Sequence, residues 1–154
     1  MQDLYQQTKG IHDIKVYEVG SPFGLAKRVT QASAQSEEKI SFAIIGGHGN
    51  SEVINFGKRL YKSDLNGGGA KRLSESFKPN AEIVLASCSV GEDNGIAQKI
   101  SEQMSGLKII ASKNTATSID MHVSYDNEGN PHFLPDFGGG EENATISYEE
   151  GVRT

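Results

Sequence analysis

The chain has 154 residues, 36% of them apolar and 23% charged, with 5 Tyr, 6 Phe and no Trp. That length and balance predict one globular domain over residues 1–154, able to cover a short sheet but not to hold two independent cores. A formal net charge of −5 argues against a broad phosphate-neutralising face, so nucleic acid is not an expected partner.

The opening MQDLYQQTKG has neither the charged nor the apolar part of a signal peptide, and no run approaches the roughly 18 apolar residues of a membrane span. The expectation is a chain with no membrane partner that starts its life in the cytoplasm. Residues Ile11 to Val19 alternate as a strand would; Gly20, Ser21 and Pro22 then punctuate the chain before a helix-compatible stretch from Phe23 to about Gln35. Ile40 to Ile45 (ISFAII) reads as a buried parallel strand that stops in the loop Gly46-Gly47-His48-Gly49-Asn50. VINFG predicts a short edge strand. Gly67-Gly68-Gly69 predicts a flexible loop, followed by an amphipathic turn or helix that ends at Pro79.

Ala81 to Ala86 (AEIVLA) is a second continuous apolar run, ending at Ser87, Cys88 and Ser89. Ile96, Ala97, Ile100 and Met104 share one face of a helix predicted over Asn94 to Met104, with Asn94 or Asp93 as its cap. Leu107 to Ala111 completes a β-α-β unit and hence a parallel sheet. Ile119 to Tyr125 and His132 to Leu134 flank the turn-rich DNEGNP and predict a C-terminal hairpin, and the tail from about residue 137 reads as irregular. The fold class is therefore α/β.

In an open parallel sheet, functional groups gather beyond the carboxyl ends of the strands. His48 follows one apolar strand directly and Cys88 follows another. If those strands are neighbours, an imidazole and a thiol share a shallow cleft, and the imidazole is the base or counter-ion a thiolate nucleophile needs. The amides of Gly49 and Cys88 would donate to a developing oxyanion, which makes acyl transfer the matching reaction. Cys88 is the single cysteine, so an internal disulfide, a CxxC redox pair and a multi-cysteine zinc site are excluded. GGHG is too short for a phosphate loop.

An apolar strand ending in His-Gly (Ile40 to Gly49), followed some forty residues later by one ending in Ser-Cys (Ile83 to Cys88), resembles the clan CD cysteine peptidases. These are the caspases, legumains, clostripain, gingipains and the self-cleaving peptidase domains of large bacterial toxins. PNAEIVLASCSVGEDNGIAQKISEQMSGLKIIAS is similar to the bacterial members, and the likeness covers roughly residues 40–112. The resemblance implies a three-layer caspase-like sandwich, a mainly parallel sheet flanked by helices. It implies a cysteine endopeptidase with His48 as general acid/base, Cys88 as nucleophile and the Gly49 amide as an oxyanion donor. A protein or peptide substrate follows from it, and so does either a cytoplasmic enzyme or a bacterial effector secreted without a classical signal; no cofactor and no metal are expected. In the toxin domains a basic pocket binds inositol hexakisphosphate as an activator. Lys58, Arg59, Lys62, Lys71, Arg72 and Lys78 make the segment before Cys88 basic enough to raise that question, with a solvated helix face as the plainer reading.

Other readings stay open. A caspase-like module with a weak or inactive dyad would bind a protein partner and keep His48 and Cys88 as remnants. An α/β-hydrolase with Cys88 at its nucleophile elbow would use His122 or His132 as base; Ala86 suits that elbow and Val90 does not. A thiol phosphatase needs Arg six positions after the cysteine, where Asn94 stands. Asp64, Asp93 and Asp120 could orient an imidazole, but a surface acid is the default reading of each, and a dyad needs no third member. His122 and His132 with Asp120, Asp126 and Asp136 match a metal set in residue type but not in spacing.

Overall fold

The computed structural model describes residues 6, 10–116, 120–138 and 145–154. Its centre is a five-stranded sheet in the order β1-β5-β6-β9-β10, formed by β1 (Ile40–Gly46), β5 (Phe77–Ala86), β6 (Lys108–Ser112), β9 (Thr145–Glu149) and β10 (Val152–Arg153). The first three are mutually parallel, and β9 and β10 join antiparallel. The parallel strands are the continuous apolar runs, as expected of strands buried on both faces. Ile83, Val84 and Leu85 of β5 are all at most 2% exposed, and each stabilises the fold by about 1.5–3 kcal/mol relative to full exposure.

Alternation sorts β5 and its neighbours onto two faces. Ile83, Leu85, Ile109, Ala111, Ile146 and Tyr148 point to one side and meet three α-helices there. Helix α1 (Pro22–Ser36) starts on Ser21, whose hydroxyl accepts the Gly24 N–H at 2.9 Å, and carries Pro at its first turn. It buries Val29. Helix α2 (Gly69–Ser74) contributes Ala70 and Leu73, and α3 (Ile96–Gln103) buries Ile96, Ala97 and Ile100. On the opposite side Val84 and Ile110 pack with Met121, Phe133 and Phe137. That cover is an antiparallel ribbon of β7 (Asp120–Tyr125) and β8 (Pro131–Asp136). The second layer expected to be helical is thus supplied, among the described residues, by strands. A small sheet of β2 (His48–Gly49), β3 (Val53–Asn55) and β4 (Arg59–Tyr61) caps one end.

Four local expectations are corrected. Residues Ile11 to Val19 form no strand; side chains hold them instead, His12 against Phe42 and Tyr125 and Tyr17 under the Arg28 guanidinium at 5.2 Å. Of the three glycines, Gly67 closes a 3-10 turn (Lys62–Gly67), and Gly68 at φ 80 caps the start of α2, a conformation that favours glycine. Helix α3 is capped by Gly95, not by Asn94 or Asp93, and the Asn94 N–H donates to Gln98 Oε1 at 2.8 Å. The tail is not irregular beyond residue 144: Ile146 and Tyr148 are buried in the central sheet. Ile119 lies outside the described residues.

Candidate functional site

The register of β1 on β5 sets the site. Gly46 lies opposite Ala86, so the two parallel strands leave the sheet side by side and the chain needs two more residues on each to reach His48 and Cys88. After Gly47 the first strand turns into the β2–β3 hairpin, with His48 opposite Asn55 and Gly49 opposite Ile54. A Cβ at Gly47 would stand 2.5 Å from the Asn55 carbonyl oxygen, so only glycine lets the chain pass here. The Asn50 N–H donates to Val53 O at 3.0 Å and closes the hairpin.

The second exit is a tight loop. Ser89 adopts φ 55, a left-handed conformation that costs a serine free energy and is held by its surroundings. The Ser89 N–H donates to Asn114 O at 2.9 Å and the Gly91 N–H to Ser112 O at 2.8 Å, which fixes the loop to the end of β6. The Ala97 N–H reaches back to Val90 O at 3.0 Å. From β9, the Tyr148 hydroxyl donates to Gly91 O at 2.9 Å and lies 3.3 Å from Asp93 Oδ1. Burial, and then the Asp93 carboxylate, push this phenol up to about 12.

The two loops touch. Gly49 rests on Ser87 and Val90, and the Ile96 N–H, the first of α3, donates to Ser51 O at 2.7 Å. Lys62 adds a bond from Nζ to Asn94 O at 2.8 Å. The His48 hairpin is therefore tied to the Cys88 loop and to the helix that follows it.

The His48 side chain is exposed and Cys88 is half-buried. The thiol is held by Ala116, whose N–H donates to Sγ at 3.3 Å and whose carbonyl accepts from it at 3.6 Å. No hydrogen bond joins Cys88 to His48 among the described residues. The proposed third members sit elsewhere: Asp64 Oδ2 accepts the Tyr61 N–H at 2.8 Å, Asp93 meets Tyr148, and Asp120 lies on β7 opposite Asp136. His122 is exposed on β7, while His132 Nδ1 lies 2.7 Å from Glu82 Oε2 and its Nε2 3.1 Å from Asp126 Oδ2. Sequence reasoning missed Ser51, Ala116 and Tyr148. Of these only Tyr148 left a signal, the alternation of Ile146 and Tyr148 in ATISYEE.

A family model described as a domain of unknown function (DUF8616) matches residues 20–130, and the chain belongs to that family. No curated protein and no solved structure matches it. No helix among the described residues is long and apolar enough to cross a membrane.

Proposed function

We propose that this member of the family is a cysteine endopeptidase on a single caspase-like domain, with Cys88 as nucleophile and His48 as general acid/base. One observation carries the reading: the adjacent exits of β1 and β5, with Gly46 opposite Ala86, deliver an imidazole and a thiol to the same end of the sheet. In the reaction Cys88 Sγ adds to the peptide carbonyl carbon, and the Gly49 and Cys88 amides receive the charge on its oxygen. His48 takes the thiol proton and gives it to the leaving amine, and water, deprotonated by His48, then releases the acid from the thioester. For this the thiol must turn from Ala116 toward the His48 hairpin. The ribbon takes the place of one helical layer in the caspase-like sandwich.

A second reading has its own support. Cys88 Sγ is engaged by Ala116 and not by His48, as suits a caspase-like module that binds a protein partner and no longer turns over. An electrophilic peptide probe separates the two. Labelling of Cys88 that is lost in His48→Ala supports the peptidase, whereas labelling at the rate of an ordinary exposed thiol, unchanged by His48→Ala, overturns it in favour of the binding module.

A further inference from the structure

Glu82 is a carboxylate on the central strand and only 3% exposed, a place where an unpaired charge would be very costly. Its Oε1 accepts the Phe133 N–H at 2.8 Å, and its Oε2 lies 2.7 Å from His132 Nδ1. His132 Nε2 lies 3.1 Å from Asp126 Oδ2. The ring thus stands between two carboxylates, and only the imidazolium form donates to both. Glu82 belongs to the sheet, whereas His132 and Asp126 belong to the ribbon, so this contact fastens one to the other.

The apolar layer beneath the ribbon reaches the thiol. Met121, Phe133 and Phe137 pack on Val84 and Ile110, and Ala116 packs against the same group. Ala116 is also the residue whose N–H and carbonyl hold Cys88 Sγ. A ribbon that lifts from the sheet takes away the packing that keeps Ala116 over the sulfur.

We propose that the Glu82–His132–Asp126 contact is a proton-operated latch, holding the ribbon down and Cys88 covered while the imidazole is charged, and freeing both when it is neutral. A neutral ring donates to one carboxylate and turns a lone pair toward the other, so deprotonation exchanges a bond for a repulsion. The charged and titratable groups around it are Lys108, which stands beside Glu82 across β5 and β6, Lys78 on β5, Glu128 in the ribbon turn, Tyr125 at the end of β7, and His12 stacked on Tyr125. None of these bonds the ring. β1, the other neighbour of β5, carries no titratable side chain. The hydrogen bonds to Asp126 and Glu82 hold the His132 pKa above its usual value. Asp126 is held at about 2, chiefly by the Asn130 N–H and then by His132, so of these two the histidine is the one whose charge changes as the pH rises. This goes beyond the peptidase reading, because exposure of the thiol is read without any substrate.

The test is the rate of Cys88 alkylation by iodoacetamide in the full chain, which has no other cysteine. Comparing variant with wild type at each pH cancels the ionisation of the thiol itself. His132→Gln is expected to react about tenfold faster than wild type near pH 6, and within about twofold of it once the pH has risen through the raised His132 value and the wild-type latch has opened. Equal rates at both pH values overturn the latch. A rate raised equally at both overturns it as well, since that marks general loosening. Asp126→Asn, at an exposed position, is expected to show the same pattern at about threefold near pH 6. If circular dichroism shows His132→Gln unfolded, Asp126→Asn carries the test with the same outcomes.

Discussion

Gly49 is pressed against Ser87. A Cβ built on Gly49 would stand 3.3 Å from Ser87 Cβ, and 2.9 Å from both Val90 Cγ1 and the Val53 carbonyl oxygen. Two of those three atoms belong to the Cys88 loop and one to the hairpin, so the added methyl has no direction in which to yield. Gly49→Ala is expected to destabilise the fold by about 1–3 kcal/mol in urea denaturation and to slow probe labelling of Cys88 by spreading the two exits. Gly67→Ala, with nothing within 4 Å of the added carbon, serves as the control and should fall within about 0.5 kcal/mol of wild type. An unaltered midpoint in Gly49→Ala would mean that the loops are not in contact.

Ser87 predicts the opposite sign. The residue is 2% exposed, and its hydroxyl finds no partner among the described residues. A buried polar group left unbonded costs about 1–3 kcal/mol, so removing it should relieve more than it loses. Ser87→Ala is expected to leave the melting temperature unchanged or to raise it. A fall equivalent to more than about 1 kcal/mol would show that the hydroxyl is bonded after all.

The parallel core was legible because ISFAII, AEIVLA and LKIIA are unbroken apolar runs, and strands buried on both faces leave just that trace. That His48 and Cys88 each follow such a run was legible too, whereas the pairing of β1 with β5 was only a condition there and comes from the register that sets Gly46 opposite Ala86. Alternation over Ile11 to Val19 misled for a physical reason: it reports that every second side chain meets the protein, not that the backbone has a ladder partner. Tyr17 and Val19 do meet it, through Arg28 and through the core on the helical side, and so, out of phase with them, does His12 through Phe42 and Tyr125. Asn94 and Asp93 looked like caps, yet the first amides of α3 are satisfied by the Ser51 carbonyl from the His48 hairpin and the Val90 carbonyl from earlier in the Cys88 loop. Glu82 gave no warning in the sequence. A single charge in a strand looks solvent-facing until the ribbon, fifty residues on, supplies Phe133 and His132 to meet it.

Tyr148 braces the Cys88 loop from the far strand, its hydroxyl donating from β9 to the Gly91 carbonyl. Tyr148→Phe is expected to cost about 1–2 kcal/mol in thermal unfolding near neutral pH. The pH dependence follows from the phenol, whose pKa rises from 10.0 to about 12 on folding. A raised pKa favours the protonated form, so its stabilisation is complete below about pH 10 and is lost as pH climbs through 12. Wild type should therefore weaken over that alkaline range more steeply than Tyr148→Phe. Parallel curves would show that the hydroxyl is hydrated.

Asp126 gives the acid counterpart. Its carboxylate accepts the N–H groups of Glu128 and Asn130 at 2.9 Å each and faces His132, which lowers its pKa from 3.8 to about 2. A depressed pKa favours the ionised form, so this stabilisation is complete above about pH 4 and is lost as pH falls through 2. His132 has the reverse sign: its pKa is raised, so its stabilisation is complete below its ordinary value of 6.5 and is lost as pH rises through the raised one. The melting-temperature gap between wild type and Asp126→Ala should then be widest between about pH 4 and 6.5. It should shrink toward pH 2, where the wild-type carboxylate is protonated. It should narrow without closing as the pH rises through the raised imidazole value, because the turn amides still bind the carboxylate after the imidazole has lost its charge. A gap that stays constant from acid to alkali would show that Asp126 stabilises the turn without its charge.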